Sequence, residues 1–170
     1  DRRNGERVAV KRLLLSAELG PGDLAEARAR FLREAQAARA LTHPDILRVF
    51  DFGTTVQGDA WMVMELVQGG TLANRITPTG MAPSDVARIG AAVAGALAAV
   101  HAHGLVHRDV KPANILMSTA GDVKLSDFGI ARELAAERLT AAVDVIGTAA
   151  YLSPEQARGA EVGPPTDVYA

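Results

Sequence analysis

The 170-residue sequence contains no cysteine, which excludes disulfide bonds and thiolate metal sites. Aromatic residues make up only 4% of it, so alanine, leucine and valine must build the core. Neither sign of charge dominates, since 18 basic residues stand against 20 acidic ones, and this balance gives no electrostatic argument for nucleic acid or an anionic membrane. What remains is a chain that is 48% hydrophobic and long enough for one domain-sized core.

Long apolar runs are also scarce. The most apolar run, Ile89 to Val100, is rich in alanine and shorter than the roughly 20 apolar residues that a membrane-spanning helix needs. The first residues show no pattern of a secretory signal peptide. We therefore predict a cytoplasmic location for this part of the protein.

Hydrophobic periodicity predicts three strands, at residues 7–15, 46–52 and 60–67, and two long helices. The first helix is predicted to begin near Asp23 and to end at His43-Pro44, because a residue before proline is pushed out of the helical region. Its inward positions at helical spacing are Leu24, Phe31, Ala35 and Ala38.

The second helix is predicted from Pro83 to His103, with Gly104 as its C-terminal cap. Between the strands and this helix, Gly69-Gly70 predicts a flexible joint. His101 and His103 lie two residues apart on the helix and therefore do not face the same way, so we interpret them as structural residues rather than metal ligands.

Two short segments carry most of the chemistry of this sequence. The first is His107-Arg108-Asp109-Val110-Lys111-Pro112-Ala113-Asn114, and the second, which begins thirteen residues after Asn114, is Asp127-Phe128-Gly129. Together they supply two acids, a lysine and an amide. A positioned acid can accept a hydroxyl proton, an amide and a second carboxylate can hold Mg²⁺, and a lysine can neutralise charge on a phosphate. The set points to chemistry on magnesium-ATP.

Further motifs lie on both sides of these segments. They are Val8-Ala9-Val10-Lys11, Glu34 on the first predicted helix, and Gly147-Thr148-Ala149-Ala150-Tyr151-Leu152-Ser153-Pro154-Glu155. With them, the chain resembles the protein kinase family over almost its whole length. Lys111 and Thr148 indicate the serine/threonine branch, and the motifs are most similar to those of the eukaryotic-type serine/threonine kinases of bacteria.

The resemblance implies an α+β fold of two lobes, truncated at both ends. Residues 1–67 are expected to form part of the N-terminal lobe, with an antiparallel sheet and a regulatory helix. Residues 68–170 are expected to form part of a mainly helical C-terminal lobe with the catalytic loop, the metal-binding loop and the activation segment. Only ten residues precede Lys11, so we expect the family's glycine-rich loop to be missing here, as are its later helices. We therefore expect these residues alone to transfer phosphate poorly or not at all.

The resemblance also implies roles around the reacting phosphate. Asp109 would accept or orient the substrate hydroxyl, where an isolated loop aspartate would only cap a turn. Lys111 would stabilise the phosphoryl group in transfer, and Asn114 and Asp127 would bind Mg²⁺ between the phosphates.

The implied nucleotide contacts lie mainly in the first part of the chain. Lys11 would contact the α- and β-phosphates and Glu34 would orient it, although each alone reads as an ordinary solvated charge. The segment Met64-Glu65-Leu66-Val67 is similar to the connector that pairs with adenine, with Met64 at the back of the pocket. Ala9 and Leu116 would sandwich the ring, although apolar runs of this kind are more often plain core.

Regulation is implied at three positions. A phosphate on the activation loop could pair with the guanidinium of Arg108, which stands beside Asp109. Thr140 lies where such kinases often autophosphorylate, and a plain exposed threonine is an equally good interpretation. Thr148 matches the family's position that touches the catalytic loop and the substrate.

Two further acids have structural roles by resemblance. Glu155 is expected to lack a partner, because the arginine that pairs with it in the family lies in the missing helices. Asp167 is similar to the aspartate that accepts hydrogen bonds from the backbone of the catalytic loop.

We therefore predict ATP-dependent phosphorylation of serine and threonine hydroxyls on protein substrates, with ATP and Mg²⁺ as cofactors and control by activation-loop autophosphorylation. The alternative is a pseudokinase or a nucleotide-binding signalling scaffold, and a small-molecule phosphotransferase is a distant third. The expected partners are ATP and proteins that bear serine or threonine, with no nucleic acid, and a membrane anchor is possible outside these residues. The substrate, the signal and the oligomeric state stay open.

Overall fold

The structure, a computed structural model, describes residues 5–13, 20–128 and 149–170. These residues form five β-strands, four α-helices and three short 3-10 turns. All strand pairs within the two sheets are antiparallel. The fold class is therefore α+β, as the sequence predicts.

The chain divides into two compact units. The first comprises Asp1–Thr42 and Leu47–Leu66, and the second comprises His43–Ile46 and Val67–Ala170. The four residues His43–Ile46 therefore belong to the second unit, whereas the chain on both sides of them belongs to the first.

The first unit is a three-stranded antiparallel sheet with one long helix. Its strands are β1 Val8–Arg12, β2 Val49–Thr54 and β3 Ala60–Glu65, and β3 lies in the centre. On β3 the buried residues alternate with half-buried ones, Ala60, Met62 and Met64 facing inward, as expected of a strand with one face on the core. The helix α1, Pro21–Ala40, packs on β2 and β3.

Helix α1 confirms most of its predicted inward face. Phe31, Ala35 and Ala38 are buried, and Leu24 is half-buried near the start of the helix. The predicted end at His43-Pro44 is wrong. The helix ends at Ala40 because Leu41 turns into the core, where it is 3% exposed, in an extended conformation.

The predicted second strand is displaced. It was expected at 46–52, but Ile46 instead forms an isolated parallel bridge with Leu125 in the second unit, next to a hydrogen bond from the Leu125 N–H to the Asp45 carbonyl. The strand β2 begins only at Val49. The third strand ends at Glu65 rather than at residue 67. The first ends at Arg12, and residues 14 and 15 of its predicted range lie outside the described residues.

The second unit contains a long helix, a short hairpin and two short helices. The long helix is α2 Pro83–Ala102, which packs on β5 of the hairpin. The remaining elements are β4 Ile115–Met117, β5 Val123–Leu125, α3 Pro154–Ala157 and α4 Pro164–Tyr169, with 3-10 turns at Leu72–Asn74, Pro112–Asn114 and Ala149–Tyr151.

The predicted glycine cap of α2 is confirmed. Gly104 has a φ of +71°, in the left-handed region that glycine adopts without strain. Its N–H donates to the carbonyl of His101, and the N–H of Leu105 donates to the carbonyl of Val100. These two bonds form a Schellman motif, which satisfies carbonyls that the end of a helix would otherwise leave unpaired.

Among the described residues, α2 is the one helix that meets the length and apolarity of a membrane span, although the apolar run within it is shorter. Length and composition alone are weak evidence, since core helices of globular domains meet the same test. Ile89, Leu97 and Val100 of α2 are buried within the second unit.

The glycine pair at residues 69 and 70 packs against the hairpin, and its predicted flexibility stays a prediction. A Cβ atom at Gly69 would lie 2.3 Å from the carbonyl oxygen of Met117, so glycine is required there by close packing. The Gly70 carbonyl accepts a hydrogen bond from the Met117 N–H, and the Arg75 guanidinium donates to the carbonyls of Gly69 and Ser118.

Candidate active site

The carboxylate of Asp109 is held by two side chains of its own loop. Lys111 Nζ lies 2.9 Å from Asp109 Oδ2, and Asn114 Nδ2 donates to the same oxygen at 2.8 Å. Asn114 Nδ2 also donates to the backbone carbonyl of Asp109 at 2.8 Å. The side chains of Asp109 and Lys111 are 15% and 20% exposed, so the pair is sheltered but still reachable from solvent.

The local backbone explains this convergence. Lys111 is extended, and Pro112 then opens the 3-10 turn Pro112–Asn114, whose fixed proline φ suits a first helical position. The Asn114 N–H closes the turn on the Lys111 carbonyl at 2.9 Å. The turn folds the chain back, so that a residue five positions after Asp109 reaches its carboxylate.

Asp127 is brought close to Asn114 through its neighbour Ser126. Both the N–H and the Oγ of Ser126 donate to the Asn114 carbonyl, at 2.9 and 3.0 Å. Asp127 follows with a φ of +57° and an exposed side chain. This is an unusual conformation for a residue other than glycine, and such residues cluster at functional sites.

Asn114 and Asp127 fit a hard divalent cation. The Asn114 side chain donates to Asp109 through Nδ2, so Oδ1 is the atom that could bind the ion, and Asp127 adds a carboxylate. Mg²⁺ is usually bound by one or two protein oxygens together with waters and phosphates rather than by a full protein cage. The described residues contain no cluster of three or more histidine, cysteine or acidic residues that could hold a metal alone.

The backbone of the loop is anchored by Asp167 on α4. Its Oδ2 accepts the N–H of His107 at 2.8 Å and its Oδ1 accepts the N–H of Arg108 at 2.7 Å. His101 Nε2 donates to Oδ2 at 2.8 Å. The role predicted for Asp167 is confirmed, and His101 is a structural residue as predicted.

His107 is fully buried in the loop and its two ring nitrogens have different partners. Nε2 donates to the Ser126 carbonyl at 3.0 Å, and Nδ1 accepts the N–H of Asp109 at 3.3 Å. The ring also packs against Phe128, with centroids 4.9 Å apart. Burial lowers the pKa of His107 below its ordinary value, although the hydrogen bond that the ring donates to the Ser126 carbonyl and the nearby carboxylates act to raise it. The ring is neutral, with its proton on Nε2.

Helices α3 and α4 are joined by a polar cluster. Thr166 Oγ1 donates to Glu155 Oε1, and Ser153 Oγ, which is fully buried, lies 3.4 Å from the same hydroxyl. The hydrogen bond from Thr166 lowers the pKa of Glu155. The expectation that Glu155 lacks a partner is therefore wrong, because Thr166, eleven residues later, supplies a hydroxyl donor in place of an arginine.

The residues predicted to bind nucleotide are divided between the two units. In the first unit, Lys11 is exposed on β1 opposite Met62, Ala9 lies opposite Met64, and Glu34 is half-buried on α1. Glu65 ends β3, paired with Val8. Val67 and Leu116 belong to the second unit, where both are half-buried. Their contact with nucleotide stays a prediction.

Of the predicted regulatory residues, only Arg108 can be described. It has a φ of +66°, in the left-handed region, and precedes Asp109 directly. Thr140 and Thr148 lie outside the described residues.

Several residues of the site were not singled out from the sequence. His107 lies inside the first motif and Ser126 directly precedes the second, so their positions in the sequence could have indicated a role in the site. Thr166 had no such signal. Gln156, whose Nε2 donates to the Arg108 carbonyl at 2.8 Å, stands three residues after Ser153 in a pattern that predicts a capping box.

Comparison with known proteins gives a consistent result. The family model described as "Protein kinase domain" matches residues 1–170. The chain is 50% identical over 147 residues to the serine/threonine-protein kinase PknB of Mycolicibacterium smegmatis, covering 83% of this chain and 24% of that protein. It is 47% identical over 142 residues to PknL of Mycobacterium tuberculosis, covering 83% of this chain and 35% of that one.

A third relative is the probable serine/threonine-protein kinase PknB of Corynebacterium glutamicum, which is 44% identical over 172 residues, covering 98% of this chain and 26% of that protein. The chain thus spans about a quarter to a third of the length of the curated relatives that it matches.

Proposed function

This chain belongs to the protein kinase family, and from that premise we propose that the protein transfers the γ-phosphate of ATP to serine or threonine hydroxyls of protein substrates. The relatives are named serine/threonine-protein kinases, which supports serine and threonine as the hydroxyls that are phosphorylated. The family uses ATP and a divalent metal, and we propose Mg²⁺ as that metal. The cytoplasmic location stays a prediction.

The observation that carries this proposal is the Asp109 carboxylate, held by Lys111 and Asn114 within one turn of chain. In the proposed step, the substrate hydroxyl oxygen forms a bond to the γ-phosphorus while the bond to the β–γ bridging oxygen breaks and ADP leaves. The hydroxyl proton passes to Asp109. Holding the acceptor in place before the reaction removes the cost of orienting it in the transition state.

The charges around Asp109 suit the same step. Lys111 Nζ places a positive charge next to the Asp109 carboxylate, where the phosphoryl group would be transferred. It can therefore offset negative charge on the oxygens of that group. Asn114 and Asp127 would hold the metal ion. When bound, Mg²⁺ supplies positive charge to the phosphate oxygens and fixes their orientation.

We assign the nucleotide contacts by family membership and by residue type. The residues are Lys11 with Glu34 for the phosphates, and Ala9, Met64, Glu65, Val67 and Leu116 for the adenine. Regulation is part of the proposal too. A phosphate on the segment that contains Thr140 would pair with Arg108, and Thr148 would contact the substrate.

The test is phosphate transfer from Mg-ATP to a generic serine- and threonine-containing protein, with the full-length protein and its Asp109→Asn variant. The amide keeps the shape of the side chain but cannot take the proton, so we expect the rate to fall by about 10²- to 10⁴-fold. The matched control is Asp85→Asn, the same change at an exposed carboxylate in the first turn of α2.

The two possible failures have different meanings. Equal rates for wild type and Asp109→Asn would remove Asp109 from the reaction. Nucleotide binding by the wild type without any transfer would replace the kinase proposal with a nucleotide-binding scaffold.

A further inference from the structure

The backbone of Arg108 is held from two sides by side chains that are distant in sequence. Its N–H donates to Asp167 Oδ1 at 2.7 Å, and its carbonyl accepts a hydrogen bond from Gln156 Nε2 at 2.8 Å. Gln156 lies 48 residues further along the chain, on α3. Arg108 needs such support because its φ of +66° is unfavourable for a residue with a side chain.

The amide of Gln156 makes two different contacts at once. Its Oε1 accepts the N–H of Ser153 at 3.0 Å, while the Ser153 Oγ accepts the N–H of Gln156, and together these bonds form the capping box of α3. Its Nε2 reaches away from the helix to the Arg108 carbonyl. A glutamate would cap the helix equally well, but only an amide can also donate a hydrogen bond.

The bond from Gln156 acts on the peptide group directly before Asp109. Because a peptide group is planar, fixing the oxygen of Arg108 also fixes the orientation of the Asp109 N–H. That N–H donates to Nδ1 of the buried His107 at 3.3 Å. The peptide is therefore held at both ends, and a rotation about it would swing the Asp109 carboxylate away from Lys111 and Asn114.

We propose that Gln156 is a positioning residue for Asp109, which it serves by donating to the Arg108 carbonyl, separately from its role in capping α3. This inference rests on the proposed function, because Asp109 is the proton acceptor of that reaction. The Asp109 loop is thus held in part by a side chain of α3, 48 residues after Arg108.

The discriminating variant is Gln156→Glu in the full-length protein. The carboxylate keeps an acceptor for Ser153 and so keeps the cap, but it presents an oxygen to the Arg108 carbonyl, which repels it. The matched control is Asn74→Asp, because Asn74 closes the other capping box, with Thr71, at the turn Leu72–Asn74. The turn Leu72–Asn74 packs against the turn Pro112–Asn114, so the control makes the same change from amide to carboxylate near the Asp109 loop but leaves the bond to the Arg108 carbonyl intact.

The first measurement is steady-state kinetics with Mg-ATP and a protein substrate. For Gln156→Glu we expect kcat to fall by about tenfold to a hundredfold, with KM for ATP changed by less than about twofold, since misplacing a catalytic group affects the transition state more than ground-state binding. Asn74→Asp should keep both constants. A kcat of Gln156→Glu within twofold of wild type, or a change in KM for ATP alone, overturns the proposal.

A second measurement does not depend on activity. Amide hydrogen exchange of residues 107–110 reports how firmly these peptide groups are held, and it should accelerate in Gln156→Glu but not in Asn74→Asp. If the wild type transfers no phosphate, the proposed function fails, and the exchange result alone decides whether Gln156 holds the loop. Equal exchange in all three proteins would then reject the inference.

If Gln156→Glu does not fold, Gln156→Met takes its place, because methionine has a similar length and neither charge nor donor. The same kinetic and exchange outcomes apply to it. Failure of both variants to fold would show that Gln156 serves stability rather than positioning, and would overturn the proposal.

Discussion

Burial keeps His107 neutral, and each of its ring nitrogens serves a different neighbour. Nδ1 must be unprotonated to accept the Asp109 N–H, while Nε2 must carry the proton that it donates to Ser126. Protonation of Nδ1 would turn it from an acceptor into a donor that faces another donor. At the residue scale, the order of the Asp109 loop therefore depends on one buried ring staying neutral.

This arrangement predicts a loss of stability as the pH falls. The pKa of His107 is lowered in the folded state, whereas in the unfolded chain it has its ordinary value of about 6.5. Below that value the unfolded chain binds a proton that the folded protein does not, so the free energy of unfolding decreases by up to about 1.4 kcal/mol per pH unit until the folded-state pKa is reached.

Thermal unfolding of the full-length wild type and of His107→Phe between pH 7 and 5 provides the measurement. Phenylalanine keeps a ring against Phe128 but binds no proton, so the difference in stability between the two proteins should shrink as the pH falls. His103→Asn, at an exposed histidine, is the control and should follow the wild type. Parallel curves for wild type and His107→Phe would contradict the prediction.

At the element scale, helix α2 shows how glycine can have opposite effects on stability at two positions. Gly104, just past the end of the helix, has a φ of +71°, and a Cβ there would meet no atom within 4 Å, so any cost of a side chain comes from the backbone conformation. Gly90 lies inside the helix with equally open space. There glycine only adds freedom to the unfolded chain.

The two alanine variants should therefore shift stability in opposite directions. Gly104→Ala is expected to lower the free energy of unfolding by about 1–2 kcal/mol, the cost of a left-handed conformation for a residue with a Cβ. Gly90→Ala is expected to raise it by about 0.5–1 kcal/mol. The measurement is the thermal midpoint of each variant beside wild type, and two shifts of the same sign would refute the argument.

The elements also show why some sequence predictions were accurate and others were not. The start of α2 at Pro83 and its end near Gly104 depend on local signals, a proline at the first turn and a glycine cap, and both are confirmed. The strand predicted from Ile46 began too early because the partner of Ile46 is Leu125, almost 80 residues away. Hydrophobic alternation carries no information about such a partner.

At the scale of the whole molecule, the site contacts that the sequence predicts from its residues are again local ones, and those it does not predict join distant parts of the chain. Asp109, Lys111 and Asn114 come together because they share one short motif, and a local turn suffices to join them. The Gln156 contact to Arg108 spans 48 residues and was not predicted, since only the tertiary fold decides which carbonyl a surface amide reaches. Asp167 was assigned correctly only through the family resemblance.

Asp167 holds a backbone group 60 residues earlier in the chain, the N–H of His107, and an amide cannot replace its carboxylate. Its two oxygens accept two backbone N–H groups, one each from His107 and Arg108, and its side chain is fully buried. In Asp167→Asn one oxygen becomes an NH₂ group. Whichever way the amide is turned, one of the two backbone N–H groups then faces a donor and loses its partner.

We expect Asp167→Asn to lower the free energy of unfolding by about 1–3 kcal/mol, the usual cost of an unpaired buried polar group, and to accelerate amide exchange at residues 107 and 108. Asp122→Asn is the control, because that exposed carboxylate accepts from the Ser118 Oγ with one oxygen, which an amide retains. It should change stability by less than about 0.5 kcal/mol. Equal effects of the two variants would mean that the long-range tie from α4 does not hold the Asp109 loop.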